Sequence, residues 1–270
     1  MYFFYLCAPM VKAIFFDIDG TLVSFKTHKV PQDNIEALKE LRNKGIKVFI
    51  STGRMLKMTS VVDGLEFDGY IANNGATCYD SNKKIIFHRP LPQDQLDAVA
   101  ERLADKNKPQ FALSFMGQDD YYINCHSKVA EEIARQINVA PPVLMPVDEI
   151  IKKEIYQLCI YVQGNELQTI LDETLTKCDS SVWNALFADV NEKGITKQFG
   201  IDRMLEYFHM DISETMSFGD GANDIPMLKH TALSICMGNA NAEVENASDY
   251  KTGTVDNGGI VSALRHYSVL

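Results

Sequence analysis

The stretch Phe15-Phe16-Asp17-Ile18-Asp19-Gly20-Thr21-Leu22 decides how the chain is read. Residues 12–18 form a short apolar run rich in β-favouring side chains, suited to a strand covered on both faces. Two carboxylates stand two residues apart where that run ends, and Gly20 and Thr21 follow to turn the chain. Open parallel sheets bind ligands beyond the carboxyl ends of their strands, which is where Asp17 and Asp19 fall. In such a crevice one carboxylate can act as a nucleophile and the other can exchange a proton, provided their environments differ. An isolated Asp-x-Asp would serve equally well as ordinary strand-end and turn residues, so the rest of the chain has to discriminate.

Outward from this stretch, strand and helix patterns alternate. Ile35, Ala37, Leu38 and Leu41 recur at helical spacing and Gly45 follows as a stop, while residues 47–52 and 69–73 read as two more buried strands. The order implies right-handed βαβ units and a parallel sheet. The middle differs in style. Residues 77–80 and 85–88 flank Ser81-Asn82-Lys83-Lys84 as a hairpin, and further strands alternate with helix faces such as Leu96, Val99, Ala100 and Leu103. After Ala185 the first style returns, with a helix over 197–208, strands over 215–218 and 232–237, and a closing helix over 260–267. The expected fold is α/β: a Rossmann-like parallel-sheet core of residues 1–82 and 185–270, interrupted by an α/β cap over 83–184.

Composition narrows the function classes. The chain has 270 residues, of which 46% are hydrophobic and 23% charged, enough for a sizeable core. A net charge of −10 disfavours nucleic acid and anionic membranes as bulk electrostatic partners. No long uncharged apolar run suggests a membrane span. Six cysteines without a C-x-x-C pair fit neither a disulfide scaffold nor structural zinc, so reduced thiols and a cytoplasmic location are expected. Residues 1–9 read as an extension ahead of Met10 rather than a secretory signal, because no Lys or Arg precedes their short apolar run. Nothing in the sequence calls for an obligatory protein partner.

Three more stretches carry chemistry. Gly219-Asp220-Gly221-Ala222-Asn223-Asp224 follows an apolar strand and offers hard oxygen ligands on a backbone that can approach an ion closely. It would also serve as a plain turn with a helix cap. In Ser51-Thr52-Gly53-Arg54 a hydroxyl, backbone N–H groups and a guanidinium could meet phosphate, or Thr52 could simply cap a helix. Lys197, in Thr196-Lys197, opens a helix against its dipole and so suits an anion, although lone lysines are usually solvated. Arg54 is the first expected contact to phosphate or leaving group; Asn74, at the next strand end, is either a second such contact or a plain turn asparagine, while Trp183 suits junction packing better than a stacking platform.

Taken in order, these four motifs resemble those of the haloacid dehalogenase superfamily, specifically its Cof-type phosphatases of sugars and small metabolites. Asn74-Gly75-Ala76, Phe187-Ala188-Asp189-Val190 and Met237-Gly238-Asn239-Ala240 extend the likeness from Met10 over nearly the whole chain. The resemblance implies that Asp17 accepts the phosphoryl group as an aspartyl-phosphate and that Asp19 serves as acid, then base. It implies that Thr52 holds a phosphate oxygen and that Lys197 neutralises Asp17. It further implies Mg²⁺ on Asp17, Asp220 and the Asp19 backbone carbonyl, with Asp224 supporting that shell. Asn223 would help orient Asp220 or Lys197 on the substrate side. The substrate class implied is a small-molecule phosphate ester: a hexose or related sugar phosphate, or alternatively a vitamin or cofactor phosphate such as pyridoxal phosphate.

Overall fold

Strand β1 (Ala13–Phe16) has no exposed residue, because each of its faces is covered by a different layer. Period-two alternation sends Ile14 and Phe16 into one hydrophobic cluster and Ala13 and Phe15 into another. Phe15 stacks on Phe49 at 4.9 Å and Phe16 on Phe218 at 5.0 Å, so β1 is pinned to its two neighbours by side chains as well as by ladder bonds. Each buried phenylalanine contributes about 1.5–3 kcal/mol of apolar burial. The computed structural model describes residues 11–184 and 186–270; the extension over residues 1–9 lies outside the described residues.

The first pass of the chain runs through α1 (Gln32–Asn43), β2 (Lys47–Ser51), β3 (Gly69–Ala72), β4 (Thr77–Asp80) and β5 (Ile85–His88). Helix α1 turns Ala37, Leu38 and Leu41 inward, as its spacing predicts. A second unit follows, built from α2 (Gln93–Ala104), β6 (Leu113–Gly117), β7 (Tyr121–Ile123), α3 (Lys128–Gln136), β8 (Val143–Leu144), α4 (Val147–Ile150), β9 (Ile155–Ile160), α5 (Gly164–Glu173), β10 (Cys178–Asn184) and β11 (Phe187–Glu192). The chain returns through α6 (Lys197–Phe208), β12 (Thr215–Gly219), α7 (Ile225–Leu228), β13 (Leu233–Cys236), α8 (Ala242–Asn246), β14 (Tyr250–Lys251) and α9 (Gly259–His266).

Among the described residues the core sheet has the order β14-β13-β12-β1-β2-β3-β4-β5. It is parallel from β14 to β3 and antiparallel at β4 and β5. The chain moves from β1 outward through β2 and β3, then restarts beside β1 at β12 and moves the other way. The strand order therefore reverses between β1 and β12, the point where α/β sheets open a crevice for ligands. A separate sheet, β10-β11-β9-β6-β7-β8, is largely antiparallel and has its own hydrophobic centre on Phe115, Leu158 and Val190.

These sheets move both expected domain boundaries. The hairpin over 77–88 forms as read, but β5 pairs with β4 in the core sheet, so residues 85–88 do not belong to the inserted unit. At the far end β11 pairs antiparallel with β10 and β9, so residues 187–192 belong to the inserted sheet rather than to the core. Both expected boundaries sit in a hairpin turn, where composition changes, whereas the chain crosses between units one strand later. The side chain of Trp183, at this junction, lies outside the described residues.

Candidate active site

Asp17 continues the line of β1, its backbone N–H donating to the Phe218 carbonyl at 3.0 Å, and it is nearly buried. The chain then folds back at once: Val23 N–H donates to the Ile18 carbonyl and Gly20 N–H to the Val23 carbonyl. Gly20 holds a left-handed φ of 82°, and a Cβ there would stand 2.4 Å from Asp220 Oδ2, so this turn admits only glycine. Gly75 plays a similar part just beyond the end of β3, two strands away from β1. Its φ is 101°, and a Cβ would strike the Thr196 carbonyl oxygen at 2.1 Å, just where α6 begins.

Lys197, the first residue of α6, is fully buried and reaches the two motifs on either side of the crevice. Its Nζ donates to Asp17 Oδ1 at 2.6 Å and to Asp224 Oδ1 at 2.5 Å. A lysine at a helix N-terminus opposes the helix dipole, and these two carboxylates offset that. Thr196 caps the same helix, its hydroxyl accepting the Phe199 N–H. The other oxygen of Asp224 accepts the backbone N–H groups of Asp220 and Gly221, both at 2.9 Å. Asp224 thus fixes the lysine and the glycine-rich turn together. Asp220 in turn accepts from the Thr21 hydroxyl at 2.9 Å and from the Asn239 amide at 2.7 Å.

One ammonium faces three carboxylates here, since ligand atoms of Asp17, Asp220 and Asp224 all lie within 4.8 Å of one another. The electrostatics follow from that imbalance. Burial pushes the Asp17 carboxyl up to about 7; Lys197 opposes the shift, while Asp224 and Asp19 add to it. Burial, with Asp17 and Asp224 nearby, holds Asp220 well above its ordinary value. Burial alone would lower the Lys197 ammonium, but Asp17 and Asp224 outweigh it and raise it. A compact, oxygen-only donor set with excess negative charge fits a hard divalent cation such as Mg²⁺.

Stability of the metal-free protein should therefore fall as pH rises from about 4 to about 7. In that window the folded state holds protons on Asp17 and Asp220 that the unfolded chain has released. The Lys197 contribution stays constant there, because it is lost only above the ordinary lysine value. Adding Mg²⁺ should raise the melting temperature more at about pH 8 than at about pH 5, where protons compete for the same oxygens. Equal shifts at both values would speak against this acid cluster as the cation site.

The remaining expected residues divide into two groups. Thr52 is buried beside Asp17 and lines the same cavity. Its Oγ1 accepts the Arg54 backbone N–H at 3.1 Å, which leaves its own hydrogen to donate. Arg54 does not reach into open space: its guanidinium closes on both carboxylate oxygens of Asp19, at 2.7 and 2.6 Å. Asn74 is similarly engaged. Its amide donates to Gln157 and Asp189 of the inserted unit and accepts from Asn223 at 3.0 Å. Asn223 therefore spends an amide N–H on Asn74. Gln157 also donates to Asp189 and to the Gly53 carbonyl, completing a buried polar bridge between the two units.

Above these groups lies a cavity of about 870 Å³ lined by both units. Asp17, Asp19, Thr52, Asp220 and Asp224 face it from the core, and Met116, Tyr121, Ile133 and Phe187 from the inserted unit. Sequence reading missed Gln157 as a partner of Asn74, and Ile137 as a partner of Arg54, because neither contact has a local spacing to betray it. Thr21, read only as part of a turn, and Asn239, quoted without a role, both hold Asp220.

Fold and site together define an α/β phosphatase. The family model of the haloacid dehalogenase-like hydrolases matches residues 14–264, and the chain belongs to that family, among its Cof-type phosphatases. It is 30% identical over 264 residues to YkrA of Bacillus subtilis (strain 168), covering 96% of this chain and 98% of that one. It is 27% identical over 266 residues to 5-amino-6-(5-phospho-D-ribitylamino)uracil phosphatase YcsE of the same organism, covering 95% and 96%. A solved structure of a subclass IIB sugar phosphatase of the family superposes with a TM-score of 0.85 at 35% identity, covering 96% of this chain and all of that one. No helix among the described residues is long and apolar enough to cross a membrane.

Proposed function

We propose that this chain hydrolyses a small-molecule phosphate ester, a hexose or related sugar phosphate, in a Mg²⁺-dependent reaction through an aspartyl-phosphate on Asp17. The observation that carries the reading is Asp17 itself. It is a buried carboxylate held at 2.6 Å by a buried lysine, beside two further acids and beneath a cavity of ligand size. In the first half-reaction an Asp17 oxygen attacks phosphorus as the bond to the leaving oxygen breaks, and Asp19 delivers a proton to that oxygen. In the second, Asp19 takes a proton from water, the water oxygen attacks phosphorus, and the Asp17–phosphorus bond breaks to release phosphate. Lys197 offsets negative charge on Asp17 throughout, and the Thr52 hydroxyl donates to a phosphoryl oxygen. Mg²⁺, held by Asp17, Asp220 and the Asp19 carbonyl with Asp224 behind them, would supply the remaining positive charge a dianion needs.

The inserted unit acts as a cap in this reading, enclosing the part of the substrate that the core motifs do not contact. The likeness to a sugar phosphatase supports a sugar phosphate first. A second reading, a vitamin or cofactor phosphate, is supported by the apolar wall of Met116, Tyr121, Ile133 and Phe187 and by the likeness to YcsE. A panel of hexose phosphates, pyridoxal phosphate, a flavin-precursor phosphate and a phosphopeptide, assayed for phosphate release with Mg²⁺ and again with chelator, tests both. Preference for the phosphopeptide, or full activity in chelator, would overturn the proposal. So would an absence of turnover on every ester, as expected of a retired catalytic scaffold.

Asp19 should be separable from the cation site. Asp19→Asn keeps the backbone carbonyl but removes proton transfer, so kcat for a sugar phosphate should fall by about 10²–10⁴-fold with Mg²⁺ affinity retained. Asp220→Ala should lose Mg²⁺ affinity instead. Titrating Mg²⁺ against activity and melting temperature for both variants distinguishes them; equal loss of affinity would show these roles to be wrong.

A further inference from the structure

The guanidinium of Arg54 joins the two units of the protein at a catalytic carboxylate. Nε donates to Asp19 Oδ2 and Nη2 to Asp19 Oδ1, so a planar fork closes on one carboxylate. Nη2 also donates to the Ile137 carbonyl at 2.9 Å, and Nη1 to the Met58 carbonyl at 2.8 Å. Met58 belongs to the core, whereas Ile137 is the C-cap of α3 in the inserted unit. The contact is favourable at both ends, since the C-terminus of a helix carries partial negative charge and attracts a cation. The side chains of Arg54 and Asp19 are only 5% and 14% exposed, so solvent does little to weaken the pair.

Resting on the phosphatase reading, we propose that Arg54 is a positioning residue that ties the seating of cap helix α3 to the orientation of the Asp19 carboxylate. It acts on the reaction through Asp19 rather than as a ligand of the phosphoryl group. Four N–H···O bonds already occupy the fork, and its rigid plane holds the Ile137 carbonyl and both Asp19 oxygens in one geometry. If α3 moves away, Nη2 loses one of its two acceptors, and the three remaining bonds, to Asp19 and to the Met58 carbonyl, fix the fork and Asp19 less firmly. The pair can persist during turnover, because each Asp19 oxygen accepts one guanidinium N–H and keeps a second lone pair for the proton it delivers. Arg54 thus sets where Asp19 stands in both half-reactions.

The leaving group tests this. Proton delivery matters for a sugar alkoxide and little for p-nitrophenolate, whereas a phosphate ligand serves both esters alike. Arg54→Met should lower kcat/KM for a hexose 6-phosphate by about 10²-fold and that for p-nitrophenyl phosphate by less than about fivefold. Arg54→Lys, which keeps the charge without the fork, should show the same asymmetry at smaller size. In an Asp19→Asn background, Arg54→Met should cost less than about threefold more on the sugar ester, because the two residues act as one unit. Amides of α3 should exchange hydrogen faster in Arg54→Met while those of β1 stay unchanged. Equal losses on the two esters, an undiminished loss in the Asp19→Asn background, or unchanged exchange in α3 would each overturn the proposal. A wild-type protein that turned over neither ester would overturn the phosphatase reading and this inference with it.

Discussion

Asp17→Asn is expected to lower turnover by about 10⁴-fold or more while leaving the fold intact. The side chain stands at the end of a strand with no exposed residue, and its backbone N–H is held by β12, so the substitution changes chemistry without changing shape. What disappears is the oxygen that attacks phosphorus in the proposed reaction, with its charge, together with one donor of the acid cluster. An amide in place of Asp17 also removes one of three acids crowded round a single ammonium, so thermal stability in the absence of metal should hold or rise above about pH 7, where Asp17 would otherwise be charged. Circular dichroism, melting temperature and phosphate release measured together check this. A variant that keeps near-normal Mg²⁺-dependent turnover would remove Asp17 from the mechanism.

The features that make these motifs legible in the sequence are local. A buried strand that ends in Asp-x-Asp-Gly-Thr specifies a tight turn by residue type alone, and Gly20 sits where a Cβ would collide with Asp220. The same holds for Gly219 to Asp224, where Asp224 bonds back to N–H groups three and four residues earlier. Arg54 and Asn74 lie in equally local motifs, but their partners do not. The Arg54–Ile137 and Asn74–Gln157 contacts each span 83 residues, and Asn74–Asp189 spans 115. Their meeting depends on how the second sheet settles on the first, which no spacing records. The strand at which the chain passes from one sheet to the other is hidden for a related reason. A hairpin turn and a domain crossing share the same polar, flexible composition, and only strand pairing tells them apart.

Lys197→Met should be the most damaging single change to the folded protein as well as to catalysis. The ammonium is fully buried and bonded to Asp17 and Asp224, so its removal leaves both carboxylates buried without their cation. Breaking a buried pair from one side destabilises by ~3–5 kcal/mol, because the surviving charge keeps its desolvation penalty and loses its compensation. Turnover should fall by about 10³-fold or more, since a phosphate dianion would then approach Asp17 against unbalanced charge. The pH dependence separates this account from simple loss of packing. Asp17 already titrates near 7 with the lysine present, and without it the carboxyl binds its proton more tightly still. Acidification from about pH 8 to about pH 5 should therefore neutralise the stranded Asp17 carboxylate and shrink the stability gap between variant and wild type. The wild-type lysine contributes equally at both values, because its contribution is lost only above the ordinary lysine range. Denaturant midpoints for the two proteins across that interval provide the measurement. A gap that stayed constant or widened on acidification would mean that Lys197 stabilises the site by packing rather than by charge.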